Sequence, residues 1–314
     1  MKNAKPFLIS VTAVSVLALL LGVGTVRVKA DKPDPHKPVH ATDVVLVKKV
    51  TLKGGHPAGA GGKKSTEAAT GLAGTPLSKS GKRYAIVVGI CDYPGDSSDL
   101  TYAVEDAEEV TRVLVSAYGF SAGDIRTLTD GAANRAAILD AIEAVKAQAQ
   151  ADDEVVFFFS GHGMNGVADD GDDEKVDEAI VSQNEAGTEF LPIWDGELKA
   201  AFAGFKTSRI IFIFDSCLAG GMDDLQGPGR VILMACGERG YSYEGDQWQN
   251  GEFTYYFAQQ GIGLGEANIH DYDHDGRLSE SAQVSAEEAF DYAKANCRMD
   301  RPVIADSFDD DLLP

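Results

Sequence analysis

The sequence is poor in cysteine, and none of its cysteines are closely paired. The four, Cys91, Cys217, Cys236 and Cys297, show no Cys-x-x-Cys spacing of the kind that holds zinc. They also do not announce the disulfide framework of a small secreted domain. No internal repeat is visible, which argues against a solenoid or propeller. Positive charge is scarce: 28 Lys and Arg face 49 Asp and Glu, for a net charge of −21. The deficit lies in the body of the chain, since residues 1–83 carry 14 basic and 4 acidic residues whereas residues 84–314 carry 14 and 45. An acidic body argues against nucleic-acid binding, whose affinity comes from neutralising phosphates. It suits cationic peptides and divalent cations, or solubility alone. Long apolar runs are absent from the body as well; the one present covers residues 7–26.

That run follows Lys2 and Lys5 and precedes Val28-Lys29-Ala30, with small residues at −3 and −1. Residues 1–30 therefore read as a secretory signal cut after Ala30, or as a retained membrane anchor, since about 20 apolar residues can span a bilayer. Either places the rest outside the cytoplasm: secreted, on the cell surface or periplasmic. Residues 31–82 are rich in Lys, Pro, Gly, Ala and Thr and read as a basic flexible linker or pro-segment. Within it only residues 43–52 alternate as a strand would. Its basic residues could lie across the acidic body and be cut there. The remainder, 83–314, is long enough for one domain with a full core, given 44% hydrophobic content.

Strand and helix patterns alternate through that domain. Residues 84–90 read as a first strand. Ala103, Ala107, Val110 and Leu114 then share one helical face, with Gly119 as a stop. A short strand at 125–128 precedes a helix capped by Asn134. Residues 155–159 and 210–214 are unbroken runs of branched and aromatic residues, the pattern of strands buried on both faces. A further buried strand spans 230–235, helices cover 198–205, 252–260 and 287–295, and 303–305 reads as an edge strand. The expectation is a three-layer α/β fold, with a mainly parallel central sheet of about six strands flanked by helices.

Both doubly buried strands end in chemistry. The first runs into Ser160-Gly161-His162-Gly163 and the second into Asp215-Ser216-Cys217. Reactive groups at the carboxyl ends of central parallel strands sit where open α/β sheets place ligands. A thiol beside an imidazole is the minimum apparatus for nucleophilic catalysis. Singly, such a Cys or His is usually a core or surface residue; the pairing carries the signal. His162 precedes Cys217 by 55 positions, close to the separation in caspases. These residues resemble the caspase-like cysteine peptidases, most of all metacaspases and their prokaryotic relatives. Residues 83–90 resemble that family's first strand and 253–257 its late helix. The chain departs from metacaspases just after the cysteine, with Leu218-Ala219-Gly220 where they usually carry His-Ser-Gly.

Chemistry and the resemblance together give the candidate site. Cys217 is the nucleophile and His162 the proton carrier, with no third acid demanded, because a backbone carbonyl can orient the imidazole. The backbone N–H groups of Gly163 and Cys217 form the oxyanion hole, with glycine at 163 for close approach of substrate. The resemblance implies that Asp106 and Asp215 line a pocket for Arg or Lys; alternatively they are a solvated helix acid and a turn cap. It also implies calcium activation through the acidic stretch 169–178, with Asp173, Asp177, Asp195 and Asp224 as ligands. A second calcium candidate is the loop at 271–282, where Asp271, Asp273, Asp275, Gly276 and Ser279 match EF-hand positions 1, 3, 5, 6 and 9. Position 12 is Ala282, with Glu287 or Glu288 as substitutes. No organic cofactor is expected. The reading is an exported, calcium-responsive cysteine endopeptidase cutting after Arg or Lys, self-processing in its linker. The alternative is a catalytically silent caspase-like module that binds calcium and partners at a surface.

Overall fold

The computed structural model describes residues 41–52, 80–171, 174–269 and 284–308. The signal or anchor segment and most of the basic linker lie outside the described residues.

The core is a six-stranded sheet in the order β13-β10-β9-β5-β3-β4. Its members are β3 (Arg83–Gly89), β4 (Ile125–Thr129), β5 (Glu154–Ser160), β9 (Ile210–Asp215), β10 (Arg230–Met234) and β13 (Val303–Asp306). All pairings are parallel except β13 on β10, which is antiparallel. The apolar runs are explained by the two cores they face. Phe157, Phe159, Phe212 and Phe214 pack on one side with α2 (Arg135–Gln148) and α3 (Asp195–Ala201). Val156, Phe158, Ile211 and Ile213 pack on the other with α1 (Ala103–Tyr118), α5 (Ala286–Asn296) and Phe253 and Phe257. Because strand side chains alternate, both faces must be apolar when both are covered. The last two phenylalanines belong to α4 (Glu252–Thr254) and the π-helix over Tyr255–Gly263 that continues it. The expected three layers and six strands are all present.

Local signals set the element ends. The Asn134 side chain accepts from Ala137 N–H at 3.0 Å and caps α2. Gly119 ends α1 with φ 68°, a left-handed position that glycine takes without penalty.

Two smaller sheets sit at the carboxyl edge of the main one. An antiparallel sheet has the order β1-β6-β7-β8, from β1 (Thr42–Val47), β6 (Gly163–Val167), β7 (Asp177–Gln183) and β8 (Phe190–Trp194). The other has the order β12-β11-β2, from β2 (Val50–Leu52), β11 (Tyr243–Gly245) and β12 (Asn250–Gly251). Residues 42–52, expected to be part of a flexible linker, are thus strands built into the domain. Strand β1 pairs antiparallel with β6, and β2 pairs parallel with β11.

Candidate active site

The dyad positions follow from register. Strands β5 and β9 are parallel neighbours with Ser160 opposite Asp215. His162 and Cys217 each lie two residues further on, so both emerge at one edge of the sheet. Two features of this turn region had no sequence signal. The Tyr93 hydroxyl accepts from His162 N–H at 3.0 Å and donates to Val181 O at 3.1 Å, while its ring packs 4.6 Å from the imidazole. The imidazole Nε2 lies 2.6 Å from Ser98 O. A carbonyl only accepts, so Nε2 carries the proton and Nδ1 is left with a lone pair. Orientation by a backbone carbonyl is the arrangement expected from sequence.

Residues Lys48 and Lys49 cross directly in front of this pair. The Cys217 thiol reaches Lys48 O at 3.2 Å, and Lys49 N–H donates to His162 Nδ1 at 3.0 Å. Thiol and imidazole therefore flank one peptide group. The sulfur also accepts from Ser242 N–H at 3.3 Å. Burial pushes the Cys217 thiol up to about 12 and, with the nearby Lys48 and Lys49 charges, pulls His162 down to about 4. With residues 48–49 in place, both reactive groups are neutral at pH 7.

The Lys49 side chain is fully buried between the two carboxylates singled out from sequence. Its Nζ lies 3.1 Å from Asp106 Oδ2 and 3.0 Å from Asp215 Oδ1, with Ser160 Oγ at 3.0 Å. Each carboxylate is otherwise satisfied. Asp106 accepts from Gly251 N–H at 2.7 Å and Ser160 Oγ at 2.6 Å. Asp215 accepts from Ser242 Oγ at 2.5 Å, Thr254 N–H at 3.1 Å and Thr254 Oγ1 at 2.6 Å. Burial alone would lower the Lys49 pKa, but Asp106, Asp215 and Glu244 outweigh it and hold the ammonium charged. Burial pushes the Asp106 carboxyl up, against the pull of Lys49. Gly251 keeps the pocket open, since a Cβ there would lie 2.2 Å from Asp215 Oδ2 and 2.7 Å from Lys49 Nζ.

Glycine at 163 has a packing reason besides the one expected from sequence. A Cβ there would meet Cys217 O at 1.9 Å, so the loop that carries the nucleophile approaches this backbone closely. Leu218, at the departure from the metacaspase pattern, adopts a left-handed φ of 61°, and its N–H donates to Gly240 O at 3.0 Å.

A carboxylate cluster lies on β7, the start of α3 and the loop before β7. Asp170, Asp177 and Asp195 bring oxygens within 4.8 Å of one another, and so do Glu174, Glu178 and Asp195. Asp177 and Asp195 were anticipated; Asp170, Glu174 and Glu178 were not. Asp224 is elsewhere, half-buried and paired with Lys199 at 3.4 Å, so it does not join the set. Asp170 Oδ1 and Glu178 Oε2 are buried without a hydrogen-bond partner. Gly196 and Gly221 leave them room, since a Cβ at either would come within 2.7 Å or 2.3 Å of those carboxylates. Orphaned, crowded carboxylate oxygens are the donor set a hard divalent cation fits. Burial and neighbouring acids push Glu178 up to about 8. Asp173 and the loop of Asp271, Asp273, Asp275 and Ser279 lie outside the described residues. Glu288, offered as a substitute ligand for that loop, instead accepts from Ser285 N–H at 2.9 Å and closes a capping box on α5.

Comparison with known proteins matches the chain to a family. The sequence model of the family described as "Caspase domain" matches residues 82–275. The chain is 34% identical over 164 residues to "Metacaspase-1" of Cryptococcus neoformans var. neoformans, covering 46% of this chain and 33% of that protein. It is 33% identical over 159 residues to "Metacaspase-1" of Schizosaccharomyces pombe, covering 46% and 36%. It is 32% identical over 165 residues to "Metacaspase-9" of Arabidopsis thaliana, covering 48% of each. The matched region thus spans between a third and a half of these relatives' length. A crystal structure of a protein from Geobacter sulfurreducens aligns with a TM-score of 0.52 over 72% of this chain and 94% of its own; at 18% identity the likeness is one of fold.

Proposed function

The chain belongs to the caspase-domain family, and from that premise we propose that it is a cysteine endopeptidase that cuts peptide chains after Lys or Arg. The observation that carries the specificity is the Lys49 ammonium, held between Asp106 and Asp215 beside the thiol. Arg fits the same pair, since a guanidinium can address two carboxylates at once.

The chemistry follows from the placement of the groups. Once the site is open, the Cys217 proton passes to His162 Nδ1, and the thiolate attacks the carbonyl carbon of the residue filling the pocket. The oxyanion is received by the N–H groups of Gly163 and Cys217. His162, kept in one orientation by Ser98 and Tyr93, returns the proton to the departing amine. Water then hydrolyses the thioester, with His162 as base.

Calcium responsiveness is supported by the cluster of Asp170, Asp177, Asp195, Glu174 and Glu178, which would hold the cation. The cation would supply charge neutralisation. Glu178 packs against Gly221, in the turn that follows the nucleophile. Export is supported by the apolar run 7–26 and the small residues before position 31. Self-processing within 31–82, outside the segment that crosses the dyad, is supported by the basic residues there. The expected partners are peptides and proteins with basic residues, with membrane attachment only if the first segment is retained.

The test is a panel of fluorogenic peptides with Lys, Arg, Gln or Asp before the scissile bond, assayed with calcium and with chelator. Turnover of the Lys and Arg members, lost in Cys217→Ala, is expected. Silence toward all four under every condition would leave the chain a non-catalytic member of the family.

A further inference from the structure

Acyl transfer to a thiol fixes which atoms of a substrate must face which groups. The residue whose side chain fills the specificity pocket must present its own carbonyl carbon to the sulfur. The nitrogen of the following residue must face the imidazole, which protonates it as it leaves. With Lys49 in the pocket, a substrate pose would set Lys49 C=O at Cys217 and Val50 N at His162.

The observed contacts are displaced by one peptide. Cys217 Sγ meets Lys48 O, and His162 Nδ1 receives Lys49 N–H. Val50 N–H turns away and donates to Ser242 O at 3.0 Å. The peptide group before the dyad is 48–49, so the pocket residue lies on the leaving side of that bond rather than on its acyl side. The carbonyl is also presented badly for attack. Its oxygen, the negative end of the dipole, is the atom that accepts the thiol hydrogen.

We infer that residues 42–52 are a reverse-threaded inhibitory segment: they fill the basic-residue pocket with Lys49 but run across the dyad in the direction opposite to a substrate, and so block the site without being cut there. The inference rests on the pocket specificity proposed above. The groove is made of two strand edges, and the segment adds a strand to each. Strand β1 extends β6 in antiparallel register, with Val47 opposite Gly163. Strand β2 runs parallel to β11, with Val50 opposite Tyr243, and Thr51 Oγ1 donates to Glu244 Oε1 at 2.6 Å. Main-chain pairing on both flanks supplies the affinity, and the buried ammonium fixes the register. A substrate travelling the other way would lie antiparallel to β11, on the edge that β2 covers. Segment and substrate therefore exclude each other.

Reversal makes a signed prediction at Val50. Proline at this position removes the N–H that bonds Ser242 O and loosens a reverse-threaded segment. If instead the segment were an ordinary substrate cut after Lys49, proline on the leaving side would block that cut and keep the site shut. The experiment uses the full chain with Val50→Pro and Lys49→Ala, and reads two signals: the rate of Cys217 alkylation by iodoacetamide, and turnover of a Lys-containing fluorogenic peptide. Loss of one backbone hydrogen bond is expected to raise alkylation about fivefold in Val50→Pro. Loss of the ammonium is expected to raise it about a hundredfold in Lys49→Ala, because the two carboxylates regain water when the segment lifts. Intact-mass analysis of the wild-type chain should show no new N-terminus at 49 or 50. A synthetic peptide of residues 41–53 should inhibit Lys49→Ala and be recovered uncut.

A new N-terminus at Lys49 or Val50, slower alkylation in Val50→Pro, or cleavage of the peptide next to Lys49 would overturn the reversed threading. Alkylation needs no turnover. An increase in alkylation with no hydrolysis in any variant would therefore uphold the threading while defeating the peptidase reading, so the two failures are distinguishable.

Discussion

Replacing Asp106 with Asn removes one of the two charges that define the pocket while leaving its shape. Asp106 is fully buried, takes Gly251 N–H on Oδ1, and meets Ser160 Oγ and the Lys49 ammonium on Oδ2. An amide keeps the first contact on its oxygen. The Ser160 hydroxyl can rotate to accept from the amide nitrogen, so the ammonium is the partner that loses. At 3.1 Å and an effective dielectric of about 20, the Coulomb attraction is ~5 kcal/mol. Much of this offsets the cost of stripping water from the charges, and charge-assisted hydrogen bonds contribute a net ~2–3 kcal/mol. Asp215 remains in place, so kcat/KM for Lys and Arg peptides should fall about 30- to 100-fold. A matched peptide with Gln before the scissile bond should change little. The comparison belongs in a Lys49→Ala background, because in the wild-type chain the same substitution loosens the inhibitory segment and masks part of the loss. Equal losses on the Lys and Gln peptides, or no loss on either, would refute the assignment of Asp106 to the pocket.

Three further outcomes follow from other parts of the molecule. Tyr93→Phe keeps the ring beside the imidazole but removes the oxygen that accepts His162 N–H, so kcat should fall about tenfold with KM unchanged; a change confined to KM would show that Tyr93 does not position the histidine. Phe157→Ala opens a cavity among Phe202, Phe212 and Phe214 and should cost about 3–5 kcal/mol, lowering Tm by roughly 10 °C in a domain of this size, as read by calorimetry. Calcium at about a hundred times its Kd should raise Tm by roughly 5–10 °C. Asp195→Asn should abolish that rise; persistence of the rise would move the cation to the other acidic stretch.

The central sheet was legible because its four inner strands, β3, β5, β9 and β10, are covered on both faces. Residues 155–159 and 210–214 have no polar interruption, and their ends place His162 and Cys217 without reference to distant contacts. The short strands were harder. In β6, Gly163-Met164-Asn165-Gly166-Val167 has neither alternation nor β-branched residues before its last position, so nothing local marks it; it is a strand because β1 and β7 pair with it. Residues 43–52 did show strand alternation. Their destination was hidden because it depends on Lys49 meeting the carboxylates of Asp106 and Asp215, 57 and 166 positions away. Ser98 contributes a main-chain carbonyl, a role any residue type can fill. Asp106 and Asp215 were found through resemblance, and the ammonium they share became visible only in three dimensions. Asp224 shared the charge of its neighbours but not their place, because Lys199 on α3 holds it.

A covalent probe reads the dyad and the pocket together. A peptidyl acyloxymethyl ketone with Lys at the pocket position would be added to the Lys49→Ala chain, and the labelled residue located by peptide mass mapping. One label is expected, on Cys217, formed rapidly with the Lys probe, poorly with an Asp probe, and not at all after His162→Ala. Labelling of Cys91, or equal labelling by both probes, would contradict it.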